Sequence, residues 1–156
     1  MTRVAPRRVI VHGQSGLDKQ SYLRGVQAFA AERGSDFRLI SVGDILLEED
    51  PTIPKSKMLS VALSRLNALR KSADRRILGE VAGLDETVVV NSHAVFRTQS
   101  LGLIPAGGLE LLREFQQSMF ITLIGDAEEV YLRIKRDYPD WSITLKDVLI
   151  WREVEL

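Results

Sequence analysis

The chain has no cysteine and only two histidines, His12 and His93, among its 156 residues. The first absence excludes disulfides, thiolate zinc sites and cysteine nucleophiles. The second excludes a histidine metal cluster. No apolar run approaches the ~18 residues of a membrane-spanning helix, so no membrane contact is expected. The start, MTRVAPRRVIVHG, carries a short apolar run and no small-residue cleavage site behind a long one. It does not read as a signal peptide. An excess of charge of one sign is also missing. The 21 basic and 21 acidic residues cancel, so bulk charge gives no strong sign of nucleic acid or of a membrane surface. These absences leave a cytoplasmic globular protein as the expectation.

What is present suits one domain over residues 1–156, with 45% hydrophobic residues to build a core. Four short apolar, β-branched runs read as buried strands: Arg8–His12, Phe37–Val42, Thr87–Asn91 and Met119–Ile124. Helical periodicity separates them. Lys19–Arg33 sets Leu23, Val26, Phe29 and Ala30 on one face, with Gly34 as a stop. Met58–Ala82 repeats the pattern at greater length, and Gly108–Gln117 is a shorter helix. Ala127–Asp137 has Asp126 as N-cap, and a last helix runs from about Leu145. This alternation predicts an α/β fold with a mostly parallel sheet. Glu48–Lys57 and Phe96–Gly108 read as irregular loops after strand ends, where ligands bind in such sheets.

The first strand runs into Gly13-Gln14-Ser15-Gly16-Leu17-Asp18-Lys19-Gln20-Ser21. A phosphate-binding loop needs glycines that turn backbone N–H groups toward an anion. It needs a helix N-terminus, a lysine for the outer phosphates, and a hydroxyl for magnesium. Gly13, Gly16 and Lys19 meet the first requirements, and Ser21 is the candidate hydroxyl and metal ligand. The strict pattern G-x-x-x-x-G-K-[ST] is broken twice. Asp18 replaces the second glycine, and Gln20 stands where Ser or Thr belongs. At φ > 0 aspartate is tolerated better than most residues, but its charge would lie near phosphate. An ordinary strand–turn–helix corner accounts for the same residues.

The rest of the chain resembles one family. SVGDILLEE (Ser41–Glu49) resembles the S-T-G-D-x-L element that opens the monophosphate region of adenylate kinases. VVVNSHAVFRTQSLGLIP (Val88–Pro105) resembles a segment of archaeal-type adenylate kinases and their P-loop ATPase relatives. IGDAEEVYLRIKRDYPD (Ile124–Asp140) is similar to the arginine-bearing helix those enzymes place beside the phosphates. The resemblance covers most of the chain, in family order. It implies a three-layer P-loop NTPase fold of the nucleoside monophosphate kinase family, with a degenerate Walker A loop. The sheet order would be 2-3-1-4 with helices on both faces, apparently without the family's fifth strand.

The same resemblance implies ATP and Mg2+ as ligands. The loop Gly13–Ser21 would hold the nucleotide and Ser21 the metal. Lys19, Arg133 and Arg136 would stabilise the transferring phosphoryl group. Gly43, Asp44, Asn91, His93 and Arg97 would bind substrate: Gly43 and Asp44 at the start of the monophosphate site, Asn91 where the family has an aspartate that orients magnesium-bound water, His93 at the family histidine, and Arg97 facing the acceptor phosphate. The alternatives are plain ones: Asp44 as a helix cap, His93 as a packed loop residue, Arg97 as a solvated arginine, and Arg133 and Arg136 paired with Glu129 and Asp137. An acid gained at Asp18 and one lost at Asn91 favour binding over phosphoryl transfer or hydrolysis. A nucleotide-sensing or protein-assembly module is the rival reading. LIWREVEL fits a core helix, a truncated junction of a longer chain, or a surface for a protein partner or second copy beside the fourth strand's edge.

Overall fold

A computed structural model describes residues 7–106 and 108–156. Residues 1–6, part of the start read as lacking a signal peptide, and residue 107, within the predicted irregular stretch, lie outside them. Four strands form one parallel sheet: β1 (Arg8–His12), β2 (Arg38–Ser41), β3 (Val88–Asn91) and β6 (Met119–Thr122). Their order is β2-β3-β1-β6, the expected 2-3-1-4. β1 sits centrally, with Ile10 in register with Val90 of β3 and Phe120 of β6.

β1 and β3 are buried because both faces are covered, whereas β6, also expected to be buried, leaves Met119, Phe120 and Ile121 exposed. Ile10, Val88 and Val90 point to one side and pack with Ile45, Leu46, Ala73 and Ile77. These come from α2 (Val42–Glu49) and α3 (Leu63–Val81). Val9, Val11 and Val89 point to the other side and meet Leu23 of α1 (Lys19–Ala31). A separate cluster joins α5 (Ala127–Asp137) to α6 (Leu145–Glu155) through Val130, Ile134, Val148 and Trp151. Short helix α4 (Leu109–Glu114) precedes β6. This is an α/β fold with a glycine-bearing corner after its central strand.

Three expectations are corrected. The stretch Phe96–Gly108 is not irregular throughout. It contains an antiparallel hairpin of β4 (Val95–Thr98) and β5 (Gly102–Pro105). Its turn is closed by the Thr98 hydroxyl, which accepts from the Leu101 N–H at 3.0 Å. The long helix Met58–Ala82 is two pieces, because Val61 and Ala62 are extended at ψ 141° and 138°. A 3₁₀ segment, Lys55–Ser60, precedes them. The apolar stripe of α1 faces the core only in part, through Leu23. Val26 and Phe29 are exposed, the latter 57%, because α1 lies against β2 and β3 and leaves the flank toward β6 uncovered. Arg33 instead stacks 3.6 Å over the Phe29 ring. Among the described residues β6 pairs only with β1, so its other edge is unpaired.

Candidate functional site

The loop after β1 closes on the N-terminus of α1. Two glycines shape it for different reasons. Gly16 has φ 90°, and a Cβ there would meet Ile134 Cγ1 at 3.0 Å and the Val130 carbonyl at 3.2 Å. Any side chain would push α5 off the loop. At Gly13 a Cβ would lie 2.9 Å from the Leu123 carbonyl and 2.8 Å from Leu17. Asp18, in place of a glycine, adopts the left-handed conformation at φ 53°, ψ 41°. Aspartate visits it at modest cost.

Lys19 is buried at 7% exposure. Its Nζ donates to the Gly13 carbonyl at 2.7 Å. Burial drives its pKa down to about 7, and the nearby Glu155 charge opposes that drop. His93 Nδ1 lies 2.6 Å from the same carbonyl. That separation needs a proton between the atoms, so Nδ1 carries the hydrogen and donates. Burial first, and then the charge of Lys19, hold His93 well below the usual histidine range, with the Gly13 contact opposing them. His93 is therefore neutral at physiological pH. His12 is also lowered by burial, against the pull of Glu155.

Lys19 and His93 open on a cleft of about 630 Å³ at the carboxyl ends of β1 and β3. The loop residues Gln14, Ser15, Gly16, Asp18 and Lys19 line it, as do Gly43, Asp44, Asn91, His93, Arg133 and Arg136. Arg133 donates to the Gly16 carbonyl at 3.3 Å. Arg136 is 2.8 Å from Asp137 and near enough to Asp18 to feel its charge. The two arginines thus line the cleft while also making their plain pairings, Arg133 with Glu129 at 3.9 Å. Ser41, not Asp44, caps α2, and the carboxylate of Asp44 accepts from Gln20 at 3.2 Å. Asn91 in turn donates to Gln20 Oε1 at 2.9 Å.

Four candidate residues do not line the cleft: Gly13, Leu17, Ser21 and Arg97. Ser21 is exposed on α1 and donates to Asp18 Oδ1 at 2.9 Å. One residue of helix rotation separates it from the cleft, and Gln20 takes the inward position. The side chain assigned to the metal thus points away, and Gln20 offers only an amide already paired on both ends. The residues fit a protein-held magnesium poorly, and among the described residues no group of three acidic or histidine ligands gathers. Arg97 is tied to Asp147 at the start of α6 at 2.9 Å and does not line the cleft.

Sequence reasoning missed Lys55 and Tyr138, which line the cleft, and Glu155, which is buried behind it. Lys55 had a signal, as a cation in the proline-flanked stretch Glu48–Lys57. Tyr138 had none beyond following the arginine helix. Glu155 had the spacing Val148, Trp151, Glu155 on a single helix face.

The central strand of the parallel sheet runs through a glycine corner into a helix, and Lys19, Arg133 and Arg136 bring positive charge to that corner. No family model matches the chain. The chain is similar to the adenylate kinase of Saccharolobus solfataricus, at 24% identity over 151 residues. That alignment spans 93% of this chain and 77% of the relative. The crystal structure of TT1252 from Thermus thermophilus aligns with 97% of this chain and 81% of its own, at 12% identity and a TM-score of 0.49. No helix among the described residues is long and apolar enough to cross a membrane.

Proposed function

We propose that the cleft binds a nucleotide, ATP or a close relative, with its outer phosphates at the Gly13–Ser21 loop. The observation that carries this is Lys19: a lysine buried at 7% exposure, held on a loop carbonyl, in a cleft it shares with Arg133 and Arg136. A lysine is buried without a carboxylate partner only at a cost, and an incoming phosphate supplies the missing anion. The amides from Gly16 to Lys19 open the helix and add partial positive charge. Arg133 and Arg136 face the same space and can neutralise phosphate oxygens. Gly43, Asp44 and Lys55 line the same cleft, and the Lys55 ammonium suits a second phosphate-bearing group. The similarity to an adenylate kinase supports a kinase-like nucleotide site.

Binding without turnover is the second reading, and a specific observation favours it. Ser21 and Asp18 bond each other outside the metal position, and Asn91 is neutral and bound to Gln20. Any magnesium would come with the nucleotide's own phosphates, and no step is assigned through it.

Calorimetric titration with ATP and with AMP, each with and without magnesium, tests the proposal, with Lys19→Ala as control. Binding that Lys19→Ala weakens at least about tenfold is expected, since one charge-assisted contact to phosphate is worth about 1.5–3 kcal/mol. No ATP binding at millimolar concentration sinks it. On mixing ATP with AMP, loss of AMP with formation of ADP and no release of inorganic phosphate would separate a kinase from a hydrolase or a sensor.

A further inference from the structure

Glu155, on the last turn of α6, is buried at 4% exposure. Its Oε1 accepts from the Gly13 N–H at 3.1 Å and the Ala94 N–H at 2.8 Å. Its Oε2 accepts from the Val95 N–H at 3.0 Å. One carboxylate therefore joins the first glycine of the phosphate loop to the segment that follows His93. The rest of α6 repeats the connection. Gln14 Nε2 donates to the Val148 carbonyl at 2.8 Å, and Trp151 Nε1 donates to the Val95 carbonyl at 3.2 Å. Gly13 is thereby held from both sides of its backbone: its N–H by Glu155, its carbonyl by Lys19 and His93.

We infer that Glu155 is a positioning residue: it sets the start of the phosphate loop relative to His93 and ties the cleft to α6. The argument is one of satisfaction and geometry. A carboxylate this deep is stable only when its oxygens are occupied, and three backbone N–H groups occupy them. Charge-assisted bonds of this kind are stronger than neutral ones. They fix the Gly13 peptide so that Lys19, six residues later, bonds the Gly13 carbonyl and stands at the cleft. The Gly13 amide is spent on Glu155, which leaves the amides from Gly16 onward for phosphate. The negative charge of Glu155 also counters the loss of charge that burial imposes on Lys19.

The inference rests on the nucleotide reading for its functional consequence but not for its structural one, so two measurements are paired. In ligand-free protein, amide hydrogen exchange at Gly13, Ala94 and Val95 is compared between wild type, Glu155→Gln and Trp151→Phe. ATP affinity is then measured on the same three proteins. Glu155→Gln turns one acceptor into a donor and removes the negative charge that strengthens the bonds from the Gly13, Ala94 and Val95 N–H groups. It is expected to speed Gly13 exchange more than tenfold and to weaken ATP at least fivefold. Trp151→Phe loosens α6 without touching Gly13, and at equal loss of thermal stability it is expected to leave both readouts within twofold. If Glu155→Gln does not fold, Glu155→Asp keeps the charge but withdraws it by one methylene, and the same ordering should appear. Equal effects of the Glu155 and Trp151 variants, or unchanged Gly13 exchange, would overturn the inference. Faster Gly13 exchange in a protein whose wild type binds no ATP would refute the nucleotide reading and leave the latch standing.

Discussion

At the scale of single residues, the site turns on two neighbours. Asp18 keeps the left-handed turn a glycine would occupy and adds a negative charge at the cleft, partly met by Arg136. Asp18→Gly removes that charge and relaxes the backbone, so ATP should bind more tightly. Because Asp18 is exposed the gain is screened, and about two- to tenfold is expected in calorimetry. An unchanged affinity would mean the carboxylate does not face the phosphates. Lys19 carries the pH dependence. Its pKa in the free protein is about 7, against 10.5 when unperturbed. A lysine depressed in this way binds fewer protons folded than unfolded between those values. The free protein should therefore gain stability as pH rises from 7 toward 10. A bound phosphate raises the lysine's pKa again. ATP affinity should be highest below pH 7 and fall above it, with proton uptake seen as a buffer-dependent binding heat. Lys19→Met should abolish both trends.

At the scale of elements, caps decide where the cleft-bearing helices begin. Asp126 accepts from the N–H groups of Glu128 and Glu129 at 2.9 and 3.1 Å, as its position before Ala127–Asp137 suggested. Asp126→Ala should cost about 1 kcal/mol, or roughly 2–4 °C in melting temperature. ATP affinity should change little, since Arg133 and Arg136 sit two turns further on. Thr144 and Asp147 form a reciprocal capping box at the start of α6. β1 and α5 were legible to the residue because their signals are local: a β-branched run, a cap, a 3.6-residue period. The same local logic failed for α1, where Val26 and Phe29 share Leu23's stripe but stay exposed. Periodicity fixes a face and cannot say how far the sheet extends beneath it. The hairpin β4–β5 was hidden by its glycine and proline, which are also the residues of a loop. Within the site, Lys19 and Gly16 came from loop chemistry, and Arg133 from the resemblance of its helix to that of the adenylate kinases. Ser21 and Arg97 were misplaced because helix rotation and a distant partner, Asp147, decide where those side chains point.

At the scale of the whole molecule, the cleft draws on many separate elements. β1 and β3 end in it, α1 and α2 begin at it, α5 lends its arginines, and α6 reaches its back wall through Glu155. A ligand there touches both main packing clusters, since Leu46 belongs to one and Leu59 and Phe96 to the other. Unfolding either cluster would break the site. Anything that binds only the folded state stabilises it by mass action. ATP at a hundred times its dissociation constant should therefore add about 2.7 kcal/mol to the global stability. For a chain of this size that corresponds to a rise of roughly 5–10 °C in melting temperature. The shift should appear as one cooperative transition, recorded alike by far-ultraviolet circular dichroism and by the fluorescence of Trp141 and Trp151, both buried in the α5–α6 cluster. A rise confined to the tryptophan signal would mean that the ligand holds only that cluster. A full shift surviving in Lys19→Ala would place the ligand outside the loop.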